Sequence, residues 1–259
     1  MPVSGDKPGP DNTGPSNPTL LKAYTGPMTI TQNGAVIENA IINDQLTIEA
    51  NNVVVRNFKI TTGSAYGIRA TSGKTGIIIE DGEISGATSK GIWGEGLSAR
   101  RLNIHHIGND GFYGDNLGMT VENNWIHHLG TASDAHADGI QMRIGSNYII
   151  RGNNFDMPKG VSGTKSNSPV FAQSAEGPVN NVLIEGNWIN GGNFGIHMDD
   201  GVTGMVIRNN LWGNDCKYGL ISLNGGNPIW ENNRWEATGE IILLSQATNS
   251  AGSNCDEGK

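Results

Sequence analysis

Five of the six histidines in this chain fall in one short region, beside two Asp-Gly pairs. The stretch Ile104-His105-His106-Ile107-Gly108-Asn109-Asp110-Gly111-Phe112 is followed by Ile126-His127-His128-Leu129-Gly130. That second stretch runs on through Asp134 to His136-Ala137-Asp138-Gly139-Ile140. Carboxyl groups about 5–5.5 Å apart suit a retaining glycosidase, and about 6.5–9.5 Å an inverting one. Crowding two carboxylates also raises the pKa of one, which yields an acid and a base from similar groups. On that chemistry Asp138 is the acid or base, Asp110 or Asp115 the second carboxylate, and His136 lies beside them. The oxygens of Asp110, Asp138 and Asp115 would equally suit calcium, which stays open as a cofactor. Zinc fits less well, because no paired thiols occur and a histidine-only site needs converging nitrogens. A plain structural reading stands beside all of these. Repeated His, Asn or Asp side chains often bond along a stack of coils, and Asp-Gly is a common turn signal.

What would position these residues is a repeat. A hexamer opening on an apolar residue occurs as Val55-Arg56-Asn57-Phe58-Lys59-Ile60, Ile79-Glu80-Asp81-Gly82-Glu83-Ile84 and Val121-Glu122-Asn123-Asn124-Trp125-Ile126. It returns at Ile150, Ile184, Ile207 and Trp230, with a weaker copy at Ala99, so the spacings are 24, 20, 22, 29, 34, 23 and 23 residues. A period in the low twenties matches one coil of a parallel β-solenoid. On this register His105 stacks on His127, His106 on His128, and Asp110 lies near Asp138. The asparagines Asn124, Asn153, Asn187, Asn210 and Asn233 form a structural ladder.

A second short strand follows each hexamer, at Ile68, Ile92, Phe112, Ile140, Ile196 and Leu220, with Phe171 as a less regular equivalent. If these point inward, alternation turns Arg69, Trp93, Tyr113, Gln141, His197 and Ile221 outward. Two residues on, also outward, come Thr71, Glu95, Asp115, Arg143, Asp199 and Leu223. A plain solvated sheet would show Thr, Ser, Lys and Asn there, so this column reads as a site. Trp93 and Tyr113 offer flat surfaces for sugar rings; Glu95, Gln141, Arg143, His197 and Asp199 would orient a sugar. Two neighbouring coils enlarge the connection into this strand, at His127 to Ala137 and Asp156 to Val170. Such insertions gather on one face, often the binding face, and here predict a groove.

Composition agrees with many short strands and tight turns. Gly is abundant, at 38 residues, and only 16% of residues are charged. No stretch shows helical periodicity or approaches the roughly 20 apolar residues of a membrane span. A formal net charge of −8 argues against nucleic acid or an anionic membrane as partner. Residues 1–33, rich in Pro and Gly, read as an extended arm or cap, 34–246 as the solenoid, and 247–259 as a polar tail. No secretory signal opens the sequence. Cys216 and Cys255 either form a disulfide that pins the tail or stay as two free thiols.

With these residues in view, the chain resembles the right-handed parallel β-helix group, the pectin-lyase-like superfamily, over roughly residues 34–246. The resemblance implies an all-β, single-stranded, right-handed parallel β-helix of about eight coils. Members are mostly polysaccharide lyases, glycoside hydrolases and epimerases, together with bacteriophage tail spikes and other tail proteins. The texts His136-Ala137-Asp138-Gly139-Ile140 and Asn109-Asp110-Gly111-Phe112 are similar to the Asn-Thr-Asp-Gly stretch of polygalacturonase-type hydrolases, whose Asp is catalytic. That implies a catalytic role for Asp138 and, less firmly, for Asp110. The family's Gly-His-Gly and Arg-Ile-Lys stretches are absent, and Asp199-Asp200 lies at a different point of the coil from its paired aspartates. For the lyases, the nearest approximation to their catalytic Arg or Lys among aspartates is Arg143 beside Asp115 and Asp138.

Two functions are therefore expected. One is binding and cleavage of an extended polysaccharide, with hydrolysis ahead of β-elimination because an acidic face repels polyuronates. The other is a non-catalytic phage tail-associated protein recognising a host surface glycan, with the arm anchored to other virion proteins and a homotrimer as its assembly. Either places the chain outside the cell or on a virion.

Overall fold

Each hexamer bends sharply at its third residue. In the computed structural model, which describes residues 5–248 and Cys255, this position has φ of 46° at Asn57, 54° at Asp81, 56° at Asn123, 57° at Asn209 and 50° at Asn232. Gly152 and Gly186 take it in the hexamers that open at Ile150 and Ile184, at 63° and 64°. Asn, Asp and Gly enter this left-handed region most easily, which explains their recurrence. Arg101, also at 54°, is the exception, and its guanidinium is held by a paired contact to Asp81, Nε to Oδ1 at 2.6 Å and Nη2 to Oδ2 at 2.9 Å.

The bend divides the coil. Val54–Thr61 and Ile77–Ser85 run through it as single strands; later coils break there, as in Leu97–Arg100 with Asn103–His105 and Met119–Glu122 with Trp125–His127. A 16-stranded sheet thus folds over into two walls, and a nine-stranded sheet makes the third. All strand pairings in these sheets are parallel, for example Ile104 on Ile126 and Phe112 on Ile140. The apolar rows Val55, Ile79, Ala99, Val121, Ile150, Ile184, Ile207 and Ile68, Ile92, Phe112, Ile140, Val170, Ile196, Ile221 are buried against one another. The chain is a parallel β-solenoid.

Just inside the bend stands the asparagine ladder, every member at 0% exposure. Asn124 donates Nδ2 to Asn153 Oδ1 at 2.9 Å, Asn153 to Asn187 at 3.0 Å, Asn187 to Asn210 at 3.0 Å, and Asn210 to Asn233 at 2.9 Å. Each oxygen also accepts a backbone N–H, as Asn187 does from Asn153, and each amide reaches a carbonyl such as that of Val121. The ladder therefore satisfies backbone groups that the bend removes from the sheets.

The N-terminal end differs from the sequence expectation. Within the stretch read as an arm, Lys22–Ala23 and Thr29–Ile30 already pair with Ala40–Ile41 and Thr47–Ile48, so coils begin before residue 34. The segment before them lies along the solenoid. Lys7 pairs with Glu236 at 2.7 Å, the Pro8 carbonyl accepts from Asn154, Gly14 N–H reaches the Arg101 carbonyl, and Asn17 exchanges two bonds with Asn57. It thus spans from the last coil to an early one. At the other end Cys216 and Cys255 are disulfide-bonded, closing a loop worth about 4 kcal/mol on the chain-entropy account. Of the tail read at 247–259, all but Ala247, Thr248 and Cys255 lies outside the described residues. Among the described residues, no helix is long and apolar enough to cross a membrane.

Replacing one ladder member strands its neighbours' polar groups in the interior. Asn153→Ala is expected to cost about 2–4 kcal/mol, read from the shift of the urea unfolding midpoint. A variant within experimental error of the wild type would show that the ladder contributes shape and no net stability.

Candidate functional site

Alternation on the second strand decides where the Asp-Gly carboxylates go. Asp110 is two residues before Phe112, and Asp138 two before Ile140, so each shares the inward side of its apolar neighbour. Both are buried, at 0% and 1% exposure. Asp110 is in register with Lys90 of the previous coil and forms an ion pair with its ammonium. Its Oδ1 accepts the backbone N–H of Asp138 at 2.9 Å. Asp138 in turn accepts from Asn167 Nδ2 at 2.9 Å, and Asn193 donates to Asn167 at 3.1 Å. Lys90, Asp110, Asp138, Asn167 and Asn193 thus make a second internal polar row. Burial pushes the Asp110 carboxyl up, against the pull of Lys90. Burial and then the Asp110 charge push Asp138 well up.

The expected outward column is formed, with corrections. Trp93, Tyr113, Gln141, Phe171, His197 and Ser222 are in register, one per coil. Phe171 belongs to this outer row, because Val170, one residue earlier, takes the inner position opposite Ile140. The last coil is offset by one residue from the expected register: Ile221 pairs with Ile196 and is buried, and Ser222 faces out beside His197. Glu95, expected outside, is buried at 2% exposure, where it accepts from the Gly73 N–H at 2.6 Å and the Ser72 hydroxyl at 3.0 Å.

The aromatic rings are set edge to face, not laid flat side by side. Trp93 stands at 66° to Tyr66 and 77° to Tyr113, with centroids 5.1 and 5.7 Å away. Arg69 lies 4.8 Å from the Trp93 ring centre, and Lys90 4.8 Å from that of Tyr113. Trp93 Nε1 donates to Asp115 at 2.6 Å. Burial raises the Asp115 carboxyl, that bond opposes the shift, and the charges of Glu95 and Glu176 add to it. Arg143 faces Glu176 at 3.2 Å, and Gln141 donates to Gln173 at 2.8 Å. His197 stacks on Phe171 at 4.5 Å, lies 3.4 Å from Asp199, and receives Asn224 at 3.1 Å. Burial lowers its pKa, against the Asp199 charge.

The structure therefore separates the predicted residues into two sets. Asp110 and Asp138 are inside with Lys90 and Asn167; Asp115, Trp93, Tyr113, Gln141, Arg143, His197 and Asp199 are on the outer face. His136 is exposed in its loop, its N–H bonded to Asn109. Among the described residues, no three His, Cys, Asp or Glu side chains are grouped to hold a metal ion, so the trio Asp110, Asp115 and Asp138 does not form a calcium cage. The two enlarged connections pack on each other, with Ala137 N–H on the Lys165 carbonyl at 3.1 Å and the Lys165 ammonium on that of Ser133. They lead into Ala137–Met142 and Ser166–Ala172, neighbouring strands of the nine-stranded sheet. A recess of about 590 Å³ between Asn190, Trp212, Trp235 and Glu236 shares no residue with the column.

Several members escaped the sequence reading. Lys90 carried a signal, since Lys90-Gly91-Ile92 matches Asp110-Gly111-Phe112 position for position. Asn167, Gln173 and Glu176 carried none, because the enlarged loop hid their register.

The histidines stack as expected: His105 on His127 at 5.1 Å and His106 on His128 at 5.3 Å. Trp125 covers His127 at 3.7 Å, and burial takes the His127 pKa down to about 3. Glu83, bonded to His105, falls to about 2.

Searches against models of protein families, curated proteins and solved structures find no match for this chain.

The His127 shift has a sign. The unfolded chain takes up a proton near pH 6.5, and the folded chain refuses it until about pH 3. Its contribution is complete above pH 6.5 and is lost progressively as the pH falls toward 3. Glu83 acts in the same direction, but between 4.5 and about 2. Between pH 7 and 5 the His127 contribution therefore falls, while the raised Asp110, Asp115 and Asp138 carboxyls act in the opposite direction, and His127→Gln should make the melting temperature fall less, or rise more, over that range than in the wild type. His106 and His197, also lowered by burial, leave a remainder. An unchanged slope in the variant would remove His127 as the source.

Proposed function

We propose that the chain binds an extended glycan along the outer face of the nine-stranded sheet. The observation that supports this is the in-register column from Trp93 to Ser222, six side chains over five strand spacings, about 24 Å. It combines aromatic rings with amide, imidazole and hydroxyl groups, which is what a hydroxylated polymer with apolar ring faces requires. Arg69, Arg143, Asp115 and Asp199 add charges of both signs, so a neutral or weakly charged glycan suits the face better than a polyanion. The edge-to-face packing, with Arg69 over the Trp93 ring, leaves less flat ring surface for contact, so hydrogen bonds share the recognition with stacking.

Cleavage is the second reading, and one observation favours it. Asp115 is the carboxyl of this outer face whose pKa is raised by burial, the condition of a general acid. Asp110 and Asp138, which lie inside, take no part in this reading. The disulfide between Cys216 and Cys255 supports work in an oxidising setting, outside a cell or on a released virus particle. A role on a virion rests on the shape of the solenoid, with residues 5–17 folded along its own flank rather than held out as an anchor.

A panel of neutral and acidic bacterial glycans, titrated calorimetrically, tests binding. Trp93→Ala and Gln141→Ala are each expected to weaken the best ligand about tenfold, or 1.4 kcal/mol. No binding across the panel at millimolar concentration would end the proposal. Reducing ends released by wild type and lost in Asp115→Asn would establish hydrolysis; binding without release would leave a recognition protein.

A further inference from the structure

The internal row that the glycan reading leaves aside has its own chemistry. Lys90 and Asp110 are in-register neighbours on adjacent parallel strands, and their ammonium and Oδ2 are in contact. The Asp110 side chain is 0% exposed and that of Lys90 14%. The amine also lies 4.8 Å from the Tyr113 ring centre, which shields it from water. On the other carboxylate oxygen, Oδ1, the backbone N–H of Asp138 donates at 2.9 Å. The Asp138 carboxyl is fixed by Asn167 one coil on. An amine, a carboxyl carbon, an N–H on the carbonyl oxygen and a second carboxyl are thus held together in an apolar interior.

We propose that Lys90 and Asp110 become joined by an isopeptide bond, Lys90 Nζ to Asp110 Cγ, once the coils have stacked. Lys90 first passes a proton to Asp110, since a charged pair costs more away from water than the neutral pair does. The amine then attacks Cγ, and negative charge develops on Oδ1, where the Asp138 N–H already points as an oxyanion donor does. The Nζ–Cγ bond forms and the Cγ–Oδ2 bond breaks. Nζ gives up two protons in all, and both leave on Oδ2 as water. Asp138, whose carboxyl is pushed well up by burial and by the Asp110 charge, relays a proton and ends as it began. No oxidant, metal or nucleotide is needed. Fixed proximity supplies the driving geometry, as intramolecular reactions of this kind gain effective concentrations of about 10⁵ M or more.

The test is the intact mass of the full chain, held folded at neutral pH for several days, then reduced and denatured. The wild type is expected about 18 Da below its sequence mass, one water. Peptide mapping should then recover a single branched peptide containing both Lys90 and Asp110. Lys90→Arg keeps the cation without a competent amine and should return the full mass. Asp138→Asn removes the proton relay and should slow the loss of water at least tenfold while the folded circular dichroism spectrum is retained. A wild type at its full sequence mass overturns the proposal and leaves an ion pair. Loss of water that persists in Lys90→Arg, with no branched peptide, also overturns it, because that pattern belongs to a succinimide at Asp110-Gly111.

Discussion

Every coil of this protein must turn a sharp corner without leaving backbone polar groups stranded in the core. The left-handed residue makes the corner, and in the coils from Asn124 to Asn233 the asparagine behind it satisfies what the corner exposes, Asn124 also accepting the Leu102 N–H of the coil before. Each Asn side chain from Asn124 to Asn210 bonds to the next coil's Asn and to a local carbonyl, so the corners are stacked as well as closed. Position along the axis is then set coil by coil, and parallel register follows for both walls beyond the bend. The outer column inherits its regularity from this. Trp93, Tyr113 and Gln141 are one strand apart because Ile92, Phe112 and Ile140 are, and those are fixed by the same stacking.

The second polar row sits differently. An asparagine ladder is neutral and extends itself, whereas Lys90, Asp110 and Asp138 bring charge into the interior. An apolar trio would lose less on desolvation, and breaking a buried pair by removing one partner is expensive. The row survives because every member has a partner: Lys90 on Asp110, the Asp138 N–H on Asp110, Asn167 on Asp138, Asn193 on Asn167. It lies directly beneath the face on which Tyr113 stands. Its burial also explains why Asp-Gly texts similar to a hydrolase motif do not present their carboxylates to a polymer on that face.

Much of the architecture was legible in the sequence. The hexamer spacing gave the coil length, and the histidine, asparagine and outer-column stacks follow from it. The facing of Asp110 and Asp138 was legible too, since alternation from Phe112 and Ile140 puts them inside. Motif similarity pointed the other way, and the period-two geometry decided the outcome. Three things were hidden. The enlarged connection before Val170 obscured the register, so Phe171 was placed on the wrong side of the sheet. The connection from Trp212 into the last strand of that sheet is longer than the one from Ile189 to Ile196, which moved Ser222 rather than Ile221 outward. Glu95 follows Gly94 and precedes a left-handed Gly96, at φ 59°, so strand alternation no longer governs its direction.

A solenoid open at both ends would leave strand edges and apolar faces to pair with other chains. This one deals with its ends by tying them back. The segment from Lys7 to Asn17 runs beside Glu236, Asn154, Arg101 and Asn57, linking coils that no β-ladder connects directly. At the far end the disulfide fixes Cys255 to Cys216, and the bridge between Arg234 and Ile241 turns the chain antiparallel after its last parallel strand. Stability in such a stack is otherwise a sum of nearest-neighbour terms, with terminal coils free to open first. A strap across several coils opposes that fraying, because one coil cannot separate without releasing contacts to others. The outer face between the two ties is then held as one rigid surface, which is the condition under which a row of modest contacts can add up along a polymer.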